Sequence, residues 1–338
     1  MLSSTTGIYP GCRGAQRFGF IGAEWYMVIS TARAIKHPRS IAIVNYKGGV
    51  GKTTIAYLLG LYLSLLTARR TLLIDIDAQC SLTIAVGLDP EYQNLVGQNV
   101  YNLVTPTAWP SIHNQSIDKH IRAVPGLPAP LYILPGGFNV EDLDIEIVEA
   151  IASQRERSKN EFFLYCRQLV MGLEGYEYVL IDCPPNKMYL TQSMLRASSY
   201  FVPVTIPDRI SIYGMPRLLR WVNEIEDTER PRMLGYILNA VNRIGGSPAG
   251  MVISQQAAAN ELRNNLLASL SEHERSVMGD TPLLGMVPRL DAIARFLGDQ
   301  KDVHLDFAKK TSGQKPIDDC LKVIANAVLR RMSNYADS

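Results

Sequence analysis

At 338 residues and 47% hydrophobic composition, the chain has enough apolar side chains for one large core or two modest ones, since ordinary domains run to ~100–200 residues. Its 34 Lys and Arg against 32 Asp and Glu leave a net charge of +2, so any affinity for nucleic acid or a lipid surface must come from a local patch and not from bulk charge. The five cysteines (Cys12, Cys80, Cys166, Cys183, Cys320) contain no C-x-x-C pair, the five histidines are dispersed, and no apolar run reaches the ~18–20 residues of a membrane span, which argues against a zinc knuckle, a disulfide framework and a transmembrane protein.

Residues 1–39 carry Arg13, Arg17, Arg33, Lys36 and Arg39 against one acid, Glu24, among many Ser, Thr and Gly. That composition fits a basic arm with no fold of its own, a targeting peptide, or a translation start placed upstream of a native one at Met27. From residue 40 onward no linker interrupts the pattern, and residues 40–338 are expected to form a single domain.

Short β-rich runs then alternate with segments of helical length. "IAIVN" (41–45) precedes a helix over 53–66, and "TLLIDID" (71–77) follows it. The proline-rich stretch 89–130 reads as a loop with short helices. Strands are expected at 131–137, 178–185, 200–205, 234–241 and 284–288, and helices near 139–157, 160–172, 211–226, 251–270, 291–297 and 316–332. Apolar runs flanked by helices imply an α/β doubly wound architecture, a mainly parallel sheet with helices on both faces.

Between the first strand and first helix stands "NYKGGVGKTT" (45–54). Gly48, Gly49, Val50 and Gly51 place successive backbone N–H groups where they can turn onto phosphate oxygens, at a helix N-terminus that favours anions. Lys52 is assigned to the β and γ phosphates, Thr53 to Mg²⁺ and Thr54 to the α-phosphate, so a nucleotide with Mg²⁺ is the expected ligand. The usual pattern asks for glycine where Tyr46 stands, and a second lysine, Lys47, precedes the glycines. Asp75 and Asp77, one residue apart near a strand's carboxyl end, are expected to share a face. "YVLIDCPP" has the Walker B form, which assigns Asp182 to the Mg²⁺ shell.

The run from Lys47 to Thr53 resembles the K-G-G-x-G-K-[ST] signature of the deviant Walker A ATPases, the ParA and MinD superfamily, and among these most resembles the Soj-like partition ATPases. "GLDP" (87–90), "YILPGG" (132–137), "DCPPN" (182–186), "VPVTIPDRISIYGMPRLL" (202–219) and "VPR" (287–289) fall in the order of that family. The resemblance implies a P-loop NTPase fold and a homodimer with ATP at its interface. In such a dimer Lys47 acts catalytically on the phosphates held by its neighbour while Lys52 serves its own, as an arginine finger does in other nucleotide hydrolases. It also implies that Asp77, in place of the second aspartate of D-x-D-P-Q, orients the attacking water, with Ala78 replacing the proline. Asn239, Pro288 and Arg289 are the implied adenine contacts.

A ParA-like identity implies a cytoplasmic, nucleoid-associated ATPase that binds nonspecific DNA and is stimulated by a ParB-like protein. Arg217 and Arg220, three apart on one helix face, with Arg243 and Arg263, are the candidate DNA contacts. Two alternatives remain: a MinD-like membrane-associated regulator, using the amphipathic 317–332 segment, and a positioning ATPase for a cargo other than DNA. The tyrosine cluster of bacterial tyrosine kinases and the cysteine surroundings of iron–sulfur relatives are missing.

Overall fold

The computed structural model describes residues 37–92, 95–108, 117–127, 129–153, 159–226, 229–242, 251–289 and 315–337. In chain order these form β1 (Arg39–Val44), α1 (Lys52–Thr67), β2 (Thr71–Asp75), α2 (Ser81–Ala85), α3 (Val100–Val104), β3 (Arg122–Ala123), β4 (Leu131–Leu134), α4 (Val140–Ser153) and α5 (Lys159–Met171). The second half contributes β5 (Tyr178–Asp182), α6 (Tyr189–Ala197), β6 (Tyr200–Thr205), α7 (Arg209–Asn223), β7 (Arg232–Met233), β8 (Tyr236–Val241), α8 (Ile253–Ser269), α9 (Glu272–Met278), β9 (Leu283–Pro288) and α10 (Lys315–Asp337).

The strands form one sheet in the order β3-β4-β2-β5-β1-β6-β8-β9, with β7 paired to β6. Every pairing is parallel except that of β3 with β4. The central strands are apolar without alternation because both faces are covered. In β1, Ala42 and Val44 point into one core with α4, α5, α6, α7 and α8, while Ile41 and Ile43 point into the other with α1 and α10. This is the doubly wound α/β fold expected of the sequence.

Helix α1 is apolar all round, and Ile55 to Ser64 are all buried, as a helix lying between a sheet and another helix must be. Its cover is α10, whose Ile317, Leu321, Ile324, Val328 and Met332 are buried at a gross gain of ~1.5–3 kcal/mol each. Two polar ties fix α10. The Tyr62 hydroxyl on α1 donates to Asp318 at 2.5 Å, and the buried Arg331 guanidinium donates to the carbonyls of Leu234 at 2.5 Å, Thr281 at 2.6 Å and Pro282 at 3.2 Å. The amphipathic face weighed as a membrane contact is therefore packed on the protein.

The first strand begins at Arg39, two residues ahead of the expected start, and the expected helix over 139–157 is seen as α4 to Ser153. Periodicity missed β3 and β7, which are only two residues each and carry no pattern to read. The extension 1–36, the helix expected at 291–297 and Arg243 lie outside the described residues.

Candidate functional site

Strand β1 lies between β5 and β6, so its carboxyl end opens into the crevice where open α/β sheets bind ligands. There Asn45 anchors the loop, its amide donating to Val204 O at 2.7 Å while its carbonyl accepts from Lys47 N at 3.0 Å. Gly49 (φ +71°) and Gly51 (φ +88°) adopt the left-handed region, which costs a side-chain-bearing residue energy. A Cβ at Gly48 or Gly49 would meet no atom within 4 Å, whereas one at Gly51 would lie 2.1 Å from Nδ2 of Asn239. The loop is thus open at its tip and closed at its base. The first turn of α1 has neither a side-chain cap hydrogen bond nor an acidic residue, which leaves its free N–H groups to an incoming anion.

Lys52 is 7% exposed and donates to Lys47 O at 3.3 Å. Burial lowers its pKa, and the charges of Asp182, Cys183 and Asp77 pull it back. Asp182, 1% exposed at the end of β5, has no hydrogen-bond partner on either carboxylate oxygen among the described residues. Burial and then the neighbouring Asp75 hold its pKa well above the usual carboxylate range, against the opposing influence of the Thr53 hydroxyl and Lys52. A buried carboxylate with two orphaned oxygens beside a hydroxyl is a donor set that a hard divalent cation satisfies. The residues present fit Mg²⁺.

Asp75 and Asp182 are register partners on adjacent strands, but Asp75 is committed within the protein. Its carboxylate accepts from Thr83 N at 2.8 Å and Thr83 Oγ1 at 2.7 Å, and the same hydroxyl accepts from Gly136 N at 2.8 Å. Burial pushes the Asp75 pKa up to about 6 despite these bonds. The chain thus uses Thr83 to lock the ends of β2 and β4 together. The expectation that Asp75 and Asp77 share a strand face is corrected here: β2 ends at Asp75, and Asp77 sits in a turn that its own carbonyl closes by accepting from Cys80 N at 2.9 Å. Asp77 is half-buried, and its carboxylate accepts from Gln79 N at 3.0 Å. It reaches the site electrostatically, through Lys52 and Asp182.

Lys47 is half-buried at the rim and its Nζ pairs with the Asp208 carboxylate. Asp208 also N-caps α7, accepting from Ser211 N at 2.8 Å. Burial raises the Asp208 pKa, but the bonds from Lys47 and Ser211 outweigh it and leave the carboxyl below its usual value. Tyr46, standing where glycine is usual, lies 5.5 Å from the Trp221 ring, and Lys187 Nζ sits 4.8 Å from the Tyr46 ring and 5.1 Å from that of Trp221. The departure from the common pattern is therefore a packing contact that ties the loop to α7 and to the segment after β5. Asp208, Thr83 and Lys187 were not singled out from the sequence. Asp208 alone left a local signal, an Asp three residues before Ser211 at a helix start.

The three residues implied for adenine lie at the carboxyl ends of β8 and β9, where Pro288 is the register partner of Val241 and Arg289 N donates to Val241 O at 2.9 Å. Asn239 spends its amide on the loop, donating to Val50 O at 2.8 Å. Arg217 and Arg220 are exposed on α7, whereas Arg263 on α8 is tied to Asp280 O at 2.8 Å. Burial pushes the thiol of Cys80 up to about 12 and raises that of Cys183.

Residues 38–234 match the family described as AAA domain. Over 262 residues the chain is 26% identical to a ParA family protein of Chlamydia muridarum, covering 77% of this chain and 94% of that one. It is 28% identical over 286 residues to the sporulation initiation inhibitor protein Soj of Bacillus subtilis, covering 85% and 98%. Relatives differ in length: a protein of Sinorhizobium fredii is 26% identical over 257 residues, and this chain covers 60% of it. Among solved structures, a McdA–ATP complex from Cyanothece matches with a TM-score of 0.64 at 16% identity, covering 87% of this chain and 96% of that one, a likeness of fold.

Proposed function

This chain belongs to the AAA domain family and is a ParA/MinD-superfamily ATPase close to ParA, and from that premise we propose that it is an ATP-dependent dimerising switch of the ParA type. In this reading the ATP-bound homodimer binds nonspecific DNA in the cytoplasm, and a ParB-like partner stimulates slow, Mg²⁺-dependent hydrolysis that releases it, for partition or segregation of DNA. The observation that carries the reading is the doubled lysine: Lys52 is buried at the base of the loop, while Lys47 is half-buried at its rim.

Each residue then has a part. The N–H groups from Gly48 to Thr54 cradle the phosphates, and Lys52 neutralises charge that builds on them. Thr53 and Asp182 would hold Mg²⁺, which would supply charge neutralisation to the phosphate oxygens. Asp77 orients water for in-line attack, and Lys47 of the partner subunit completes the charge. Asn239 fixes Val50 and Gly51 from the base side, with Pro288 and Arg289 at the edge of the adenine. Coverage of the apolar face of α10 by α1 and β9 favours this reading over a membrane-binding one.

The test is co-sedimentation with random-sequence DNA and, in parallel, with anionic liposomes, each with ATP·Mg²⁺, ADP·Mg²⁺ or no nucleotide across a salt series. ATP-dependent, salt-sensitive retention on DNA alone is expected. Retention on liposomes alone overturns the reading in favour of a membrane-associated regulator.

A further inference from the structure

A cavity of about 350 Å³ opens at the amino ends of β1 and β6, at the opposite end of the sheet from the phosphate-binding loop. Four arginines line it, Arg167, Arg196, Arg230 and Arg232, against one carboxylate, Glu229. Three of the guanidinium groups are held in place. Arg196 pairs with Glu229 at 3.1 Å and lies 4.1 Å over the Phe163 ring; Arg230 donates to Asn223 O and Ile225 O, each within 3 Å; Arg232 donates to Tyr335 O at 2.9 Å. Arg167, half-buried on α5, makes no hydrogen bond or ion pair among the described residues.

The charges do not cancel. Four guanidinium groups less one carboxylate leave three positive charges around the cavity. The carboxyl ends of α5 and α6, which also border it, subtract about half a charge each, so roughly two positive charges remain uncompensated. A concave wall focuses that potential, and the volume lies in the ~300–1,000 Å³ range of ligand pockets. A phosphate monoester carries about −1.5 to −2 charge at neutral pH, and two successive phosphodiesters of a nucleic-acid backbone carry about −1 each; either matches the charge, and their acceptor oxygens match the forked donors.

We propose that this cavity is a second anion site that takes a phosphate-bearing ligand, separate from the nucleotide loop. The phosphate comes either from a free phosphate ester or diphosphate, or from the phosphodiester backbone of DNA. The site does not depend on the function proposed above, because its charged residues belong to α5, α6, β7 and the approach to β7, away from the phosphate-binding loop.

The probe is inorganic pyrophosphate, titrated calorimetrically into the full-length chain whose loop is silenced by Lys52→Ala and, independently, into the unmodified chain with its loop filled by a non-hydrolysable ATP analogue. Saturable binding is expected in both. Arg167→Glu, at a side chain that holds no structural bond, should weaken it by about tenfold or more, and Arg167→Lys, which keeps the charge but loses the fork, should weaken it less than Arg167→Glu does. A labelled random-sequence duplex distinguishes the sources. Loss of duplex affinity in Arg167→Glu with competition by pyrophosphate identifies the DNA backbone, and pyrophosphate binding with unchanged duplex affinity identifies a free ester. Absence of pyrophosphate binding in both preparations, or binding indifferent to Arg167→Glu, overturns the site. Neither result depends on hydrolysis or dimerisation, so failure here is distinct from failure of the ATPase reading.

Discussion

Removing the carboxylate of Asp208 should make the ATP-bound dimer tighter, not weaker. Within one chain Lys47 is paired with Asp208, yet the proposed role of Lys47 lies on the partner's phosphates, so that pair must break in each subunit as the dimer forms. Asp208 has a second role as N-cap of α7, through Ser211 N at 2.8 Å. Asp208→Ser is therefore the informative change, since serine caps as well as aspartate while carrying no charge. With side chains 26% and 35% exposed, the pair falls in the surface class worth about 0.5–1 kcal/mol. Two pairs per dimer give about 1–2 kcal/mol, or roughly a 5- to 30-fold lower dimer dissociation constant. Sedimentation equilibrium with a non-hydrolysable ATP analogue reads this directly, and urea unfolding of the monomer should change by less than about 1 kcal/mol. An unchanged or weaker dimer would refute the reasoning and would make Asp208 a group that holds Lys47 in its working position.

Lys52→Ala should abolish binding of a fluorescent ATP analogue, while Lys47→Ala should keep monomer binding and lose dimerisation or turnover; equal loss in both would remove the trans role of Lys47. Asp77→Ala should accumulate an ATP-bound dimer in size-exclusion chromatography, and normal turnover in that variant would show that water is oriented elsewhere. Thr83→Val removes the hydroxyl between Asp75 and Gly136 N; Asp75 keeps its bond from Thr83 N, while Gly136 N loses its acceptor at about 1–3 kcal/mol, so a drop of about that size in urea-measured stability is expected. His120 is 2% exposed with neither ring nitrogen partnered among the described residues, and burial, followed by the charges of Lys119 and Arg122, lowers its pKa from 6.5 to about 4. The unfolded chain then binds the proton more readily than the folded one, so this stability is present above pH ~6.5 and fades as pH falls toward 4. At about 1.4 kcal/mol per pH unit, wild type should lose up to about 3 kcal/mol more than His120→Leu between pH 7 and pH 4, and parallel profiles for the two would contradict the assignment.

Much of the fold was legible in the chain, and for local reasons. β1, β2, β5, β6, β8 and β9 are apolar runs of five or six residues whose length and β-branched content separate them from the intervening helices. The pairs β3 and β7, at two residues each, exist only because a neighbouring strand offers an edge, and no periodicity can fit in so short a span. The nucleotide loop was legible because its chemistry is contiguous, with glycines, lysine and threonine all within residues 48–54.

What the sequence by itself determined is the set of groups whose place in the fold follows from neighbours along the chain: the open glycine loop, Lys52 and Thr53 at a helix start, and Asp182 at a strand end. Tertiary structure decided which of the other polar groups are spent within the protein and which are left for a ligand. Asp75 and Asp182 look alike in sequence, each an aspartate after four apolar or nearly apolar residues, yet Thr83 satisfies Asp75 while both oxygens of Asp182 are without a partner among the described residues. Asn239 is turned to the loop, and Lys47 to Asp208, 161 residues away in sequence. Hydrogen bonds and ion pairs act over a few ångströms of space, and only the folded chain brings such distant residues within that reach.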